Sequence, residues 1–187
     1  MLETKEKIVI FNNKYIELQN NLVEDRDTKK RFNHIRLIEN NSKTPGSVIL
    51  CKHNNKFLII ENYRYGIDEI TIELPRGYTN TDESLEKCAI RELYEETNIV
   101  FLENKDEIIK LGEISINSSI MASKVSIFLI NINHNVENIK LQHSEHIESF
   151  QWVSLQEMYE KIRVGEIIDS FTISALMLYK VYNRVEI

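Results

Sequence analysis

Residues 84–97 read as a helix whose apolar side carries acids. At about 100° per residue, Leu85, Cys88, Ala89 and Leu93 line one face. Glu92 and Glu96 project into the middle of that same stripe, and Glu95 lies on its edge. An amphipathic helix normally keeps its charges on the opposite face. The three carboxylates stand at i, i+3 and i+4, so they are neighbours, and like charges at that spacing repel by a few tenths of a kcal/mol even in water. Partly desolvated, they would take up protons unless something neutralised them. A hard divalent cation answers both problems, since Mg²⁺ takes oxygen ligands and is usually completed by water and substrate phosphates. The competing reading is a solvated acidic face with Arg91–Glu95 as an i, i+4 ion pair.

The rest of the chain limits what such a helix can serve. The 187 residues suit one domain, or one domain with a small appendage. A formal net charge of −6 disfavours a uniformly basic nucleic-acid binder, and an anionic substrate then needs local Arg or Lys, or a metal ion, to hold it. Two cysteines, Cys51 and Cys88, exclude a disulfide framework or a Cys-rich zinc site and are expected to be buried thiols. The start MLETKEKIVIF lacks the apolar core of a signal peptide, and no apolar run approaches the ~20 residues of a membrane span. A cytoplasmic location and no membrane partner are the expectation.

Strand signals come in several short runs. Ile8–Phe11 and Tyr15–Leu18 flank Asn12-Asn13 as a hairpin, and Phe32–Ile38 alternates with polar positions. Ser47–Lys52 and Phe57–Tyr63 form a second hairpin, and Leu111–Ile116, Val125–Ile132 and Ile147–Val153 read as further strands. Asparagine pairs at 12–13, 20–21, 40–41 and 54–55 are expected at turn tips, because Asn tolerates left-handed backbone. Ser84–Thr97, Ser154–Arg163 and Asp169–Tyr182 are expected as helices, the second with Ser154 as N-cap. The class is α+β, a mixed sheet covered by helices.

The segment around the acidic helix resembles the signature of the Nudix hydrolases. Gly77 is followed after five residues by Glu83 and after seven more by Arg91-Glu92-Leu93-Tyr94-Glu95-Glu96-Thr97-Asn98-Ile99. Every spacing of that signature is kept, and one position departs, where the family's final Gly is Asn98. Asn is the usual second choice for a left-handed residue after a helix, so the same backbone is expected. Asn62-Tyr63-Arg64-Tyr65-Gly66 followed by Glu73-Leu74-Pro75-Arg76-Gly77 looks like the ADP-ribose and nucleoside-diphosphate-sugar pyrophosphatase branch. The likeness spans roughly residues 45–180. Two features depart from the branch: Asn117–Ser123 lacks its Pro-Gly, and Arg76 stands where a small residue is common.

The resemblance implies an α/β/α sandwich over 45–187, with 1–44 as extra antiparallel N-terminal strands that often help form a homodimer. It implies that Glu92, Glu95, Glu96 and the Arg76 carbonyl bind Mg²⁺ or Mn²⁺, that Arg91 orients a glutamate, and that Glu83 sits beside the cluster. It also implies a general base on the loop before the last strand, with Glu145 the first choice and Glu148 the second. His143 and His146 on that loop are read as solvated. Arg64 and Arg76 are candidates for phosphate contacts, and Tyr63 and Tyr65, alternating across a strand, put one ring toward a ligand. The implied activity is divalent-metal-dependent cleavage of the diphosphate of ADP-ribose or a related nucleoside diphosphate sugar. A nucleoside-triphosphate-sanitising enzyme of the same superfamily and a non-catalytic nucleotide-sugar sensor are the alternatives.

Overall fold

Near the N-terminus one long strand organises its neighbours. β1 (Leu2–Glu6) and β2 (Val9–Asn12) lie end to end along one edge of β3 (Ile16–Asp25), and β4 (Arg31–Glu39) runs along the other, all antiparallel. The turn after β2 forms as expected, with Asn13 Oδ1 accepting the N–H groups of Tyr15 and Ile16 at 2.8 Å. Asn20-Asn21 is a correction, because the pair sits inside β3 and not at a turn. Asn21 is buried, accepts the Ile8 N–H at 3.0 Å and donates to Gln19 at 2.7 Å. An amide whose donors and acceptors are met inside the fold loses its bias toward turns.

The structure is a computed structural model and describes residues 1–40, 42–136, 139 and 147–184. It divides into two compact units, Met1–Pro45 with Ser115–Val125, and Gly46–Ile114 with Ser126–Ile187. In the first unit residues 120–122 add to β4, with Leu37 N–H on the Ile120 carbonyl and Ala122 N–H on the Leu37 carbonyl. Ser123 donates to Glu39 at 2.8 Å.

The second unit is built on β5 (Gly46–His53), β6 (Lys56–Arg64), β7 (Glu69–Glu73), β8 (Arg76–Tyr78), α1 (Leu85–Thr97), β9 (Glu107–Ile114), β10 (Val125–Asn131), β11 (Ile147–Ser154), α2 (Leu155–Arg163) and α3 (Ser170–Tyr182). Asn54 and Asn55 both have positive φ, 49° and 61°, as a two-residue hairpin with matched strand twist requires. They close β5 onto β6. The two strands then part: β8 takes the opened edge of β5 and β7 that of β6. Glu73-Leu74-Pro75-Arg76 therefore runs from one opened edge to the other. The sheet order is β11-β6-β5-β10-β9, with β10 parallel to β5. β7 and β8 are absent from the strand reading, and β9 begins at Glu107 and ends at Ile114, where Leu111–Ile116 was expected.

The core follows from alternation along the strands. Ile49, Cys51, Leu58, Phe128 and Ile130 point to one face and pack with Ala89 and Leu93 of α1. Phe57, next to Leu58 and on the other face, meets Tyr179 of α3 edge-on with ring centroids 5.1 Å apart. The result is the expected α+β sandwich. Both cysteines are buried, and burial pushes the Cys88 thiol up to about 11. Among the described residues no helix is long and apolar enough to cross a membrane. Ser154 caps α2 in a full capping box with Glu157.

α1 ends on Asn98, at φ 60° and ψ 16°, with its N–H on the Tyr94 carbonyl at 2.7 Å. Left-handed backbone costs a branched residue about 1–2 kcal/mol and glycine almost nothing. Asn98→Gly is expected to hold or raise the melting temperature, whereas Asn98→Val lowers it by about 2–4 °C per kcal/mol lost. Calorimetric melts of the two variants check the pair.

Candidate active site

The acidic face of α1 is seated by the turn that precedes it. Ser84 accepts the Lys87 N–H at 3.2 Å as N-cap, and Ser47 on β5 donates to the Leu85 carbonyl at 2.8 Å. Gly77, paired with Ser47 across β5–β8, passes so close to α1 that a Cβ there would overlap the Glu92 carboxylate. Glycine is needed here for space. Glu92 and Glu96 are 5% and 1% exposed, as a position inside the apolar stripe requires, while Glu95 sits at the edge and is more open. The backbone N–H of Arg76 donates to Glu96 at 3.2 Å.

Arg91 gathers the other acids. Its Nε and Nη2 grip the two oxygens of Glu83, both at 2.9 Å, and its Nη1 reaches Glu92 at 2.6 Å and Glu95 at 2.7 Å. Nη2 also donates to the Tyr78 carbonyl at 2.7 Å. Such charge-assisted, forked bonds are strong and directional. The Arg91 bond, together with the Asn80 N–H, holds the Glu83 carboxyl below the usual range, although desolvation opposes it. The same carboxylates, Glu83 first, push Arg91 above the ordinary guanidinium value. The sequence reading left neutralisation of this cluster to a divalent ion. In the fold, one guanidinium already supplies part of it, so Arg91–Glu95 is both the helical ion pair and a piece of the site.

A second network stands beside the first. Glu73, fully buried at the end of β7, accepts two bonds from Arg64, one of them at 3.0 Å from Nε, one from Thr71 at 3.0 Å and one from Arg76 at 3.1 Å. Arg76 also lies 3.5 Å from Asp169 and 4.2 Å over the Phe171 ring. Glu73 and Asp169 carried no role in the sequence reading. The signal available for Glu73 was a carboxylate directly before Leu-Pro, at the end of an alternating run with Ile70 and Ile72.

The predicted site residues divide accordingly. Glu83, Arg91, Glu92 and Glu95 come together, Arg76 links to Glu96 through its backbone, and Arg64 joins Arg76 on Glu73. Tyr63 and Tyr65 do not alternate across a strand, because β6 ends at Arg64. Tyr65 stands in the following turn, 88% exposed, and the Tyr63 hydroxyl donates to Asp68 at 2.7 Å. Glu148 is exposed at a register shift between Ile147 and Ser149, where β11 begins opposite Asn62. That places it at the Arg64 end of β6. Glu145, His143 and His146 lie outside the described residues.

The donor set suits a hard cation, since Glu92, Glu95 and Glu96 offer only carboxylate oxygens, and Gly77 keeps the space over Glu92 that a side chain would fill. Among the described residues no three His, Cys, Asp or Glu side chains form a group that could hold a metal ion by itself. Mg²⁺ does not require one, taking one or two carboxylates plus water and phosphate.

Comparison with known proteins bears on the same segment. The NUDIX domain profile matches residues 43–172. No curated protein matches significantly. Among solved structures, one described as the crystal structure of an ADP compounds hydrolase superposes with a TM-score of 0.76 at 16% identity, covering 98% of this chain and 94% of that one. At that identity the likeness is one of fold.

Because the folded Glu83 carboxyl titrates below its ordinary value near 4.5, its contribution to stability is complete above that pH and fades as pH falls through the folded value. Glu83→Gln is therefore expected to lose about 1 kcal/mol at pH 7, and the gap to wild type should close in melts run toward pH 3. A gap that stays constant with pH would contradict the ionic role of Glu83.

Proposed function

Since this chain belongs to the Nudix family and is a hydrolase of that family, we propose that it cleaves the diphosphate linkage of ADP-ribose or a related nucleoside diphosphate sugar, releasing a nucleoside monophosphate and a sugar phosphate. The observation that carries this reading is the pairing of two networks through one short turn. The acids of α1 and the arginines on Glu73 meet at Arg76, whose N–H bonds Glu96 and whose side chain bonds Glu73. A diphosphate needs both kinds of group, oxygen ligands for a cation and guanidinium for a phosphate. The fold shared with the ADP compounds hydrolase, over nearly the whole of both chains, supports the choice of branch.

Glu92, Glu95 and Glu96, with the Arg76 carbonyl, would hold Mg²⁺ or Mn²⁺. Bound there, the ion neutralises phosphate charge and lowers the pKa of a coordinated water. The chain's own groups do the rest. Arg91 holds Glu92 and Glu95 side by side on one nitrogen. Glu73 presents Arg64, whose side chain remains about one third exposed, to a phosphate oxygen. Glu145 is the first candidate for the base that accepts the proton of the attacking water, and Glu148 the second. The N-terminal strands serve as a homodimer surface, a role supported by Ile10 and Phe11 of β2, both about half exposed.

A panel of ADP-ribose, nucleoside diphosphate sugars and nucleoside triphosphates with Mg²⁺ tests the reading. Wild type is expected to prefer the diphosphates, and Glu96→Gln, which keeps the shape and removes the charge, to lose about 10²-fold or more. Equal rates in the two proteins would end the proposal. Preference for triphosphates would favour a sanitising enzyme, and tight binding without turnover would favour a sensor. Gly77→Ala should show the same loss of turnover with a melting shift of only a few degrees, because the displaced group is the end of the Glu92 side chain and not backbone.

A further inference from the structure

Arg76 has the side chain of a phosphate ligand and the surroundings of a brace. Its guanidinium is mostly buried, sits over the Phe171 ring at 4.2 Å, and faces Glu73 at 3.1 Å and Asp169 at 3.5 Å. Phe171 belongs to the first turn of α3, and Asp169 is that helix's N-cap, accepting the Thr172 N–H at 2.8 Å and its hydroxyl at 2.7 Å. The Thr172 hydroxyl in turn accepts the Leu74 N–H at 3.0 Å. The start of α3 therefore grips the segment on both sides of Pro75, through the Leu74 backbone and through the Arg76 side chain. On the other side the Pro75 carbonyl accepts the Ile49 N–H of β5 at 2.9 Å.

What that segment carries is the acid site's frame. The Arg76 N–H holds Glu96, and the next residue, Gly77, leaves room for Glu92. We propose that the Arg76 side chain is a positioning residue, clamping the Pro75–Gly77 backbone to the N-terminus of α3 so that the backbone contacts that seat Glu92 and Glu96 are held in place, and that it makes no contact with substrate. Lysine replaces it poorly, because an ammonium has no delocalised plane to set over the Phe171 ring. Arg64, by contrast, keeps an open edge toward solvent and remains the phosphate-facing cation. Only the turnover arm of the test rests on the diphosphate hydrolase reading.

The test compares wild type with Arg76→Ala, Arg76→Lys and the milder Phe171→Leu and Asp169→Asn. Three readings are taken on the intact chain: Mn²⁺ affinity by electron paramagnetic resonance without nucleotide, kcat and KM for ADP-ribose with Mg²⁺, and deuterium exchange over residues 73–78. Arg76→Ala is expected to weaken Mn²⁺ binding and lower kcat by about 10- to 100-fold, with KM within about twofold and faster exchange in the segment. Phe171→Leu and Asp169→Asn should move the same readings in the same direction by less, and they carry the test if Arg76→Ala does not fold. Arg76→Lys should not restore them. A rise in KM with kcat and Mn²⁺ affinity unchanged would make Arg76 a substrate ligand and overturn the proposal. So would full rescue by lysine, or no change in any reading. If wild type cleaves no diphosphate, the reading of function fails while Mn²⁺ affinity and exchange still decide the role of Arg76.

Discussion

Arg91 donates to Glu83, Glu92 and Glu95 and to the Tyr78 carbonyl, and this shared guanidinium is what lets acids occupy a sheltered helix face. Glu92 is a nearly buried carboxylate beside two others, and burying a charge costs several kcal/mol unless it is paired, as Arg91 pairs it here. The fork also fixes geometry. Glu83 lies on the turn before α1 and Tyr78 on β8, so the same side chain joins the helix to the loop that leads into it. The guanidinium thus gathers Glu83, Glu92 and Glu95 around one centre of positive charge.

A parallel arrangement surrounds Glu73. Its carboxylate is fully buried and is met by two arginines and a threonine hydroxyl. A buried acid so fully satisfied is held in place, because loss of any one partner leaves a buried oxygen short of a hydrogen bond. The parting of β5 and β6 makes room for this network. The chain crosses the opening as Leu74-Pro75-Arg76, and proline there keeps the path stiff. The two networks are thus linked through three residues of backbone, and through Arg76 to the far side of the sheet, where α3 packs.

Much of this was legible from local pattern. The helix over 84–97, its misplaced acids, the left-handed Asn98, the Asn54-Asn55 turn and the Ser154 cap all depend on residues within a few positions of one another. Helix periodicity and turn chemistry report on such contacts directly. Asn20-Asn21 shows where that logic fails. The pair carries a turn signal, yet Asn21 finds its partners in the Ile8 backbone N–H and the Gln19 side chain, and burial prevails. Tyr65 fails for a related reason. Alternation describes a strand only while the strand lasts, and β6 ends one residue earlier.

By itself, the order of residues determined the α+β class, the family, and which carboxylates crowd α1, since spacing along a helix is a property of the chain alone. Tertiary structure decided how those carboxylates are neutralised and what Arg76 does. Arg76 meets Phe171 and Asp169 across more than ninety positions of sequence, and only the packing of α3 on the sheet brings them together. No periodicity encodes a contact of that range, because it depends on the path of everything folded in between.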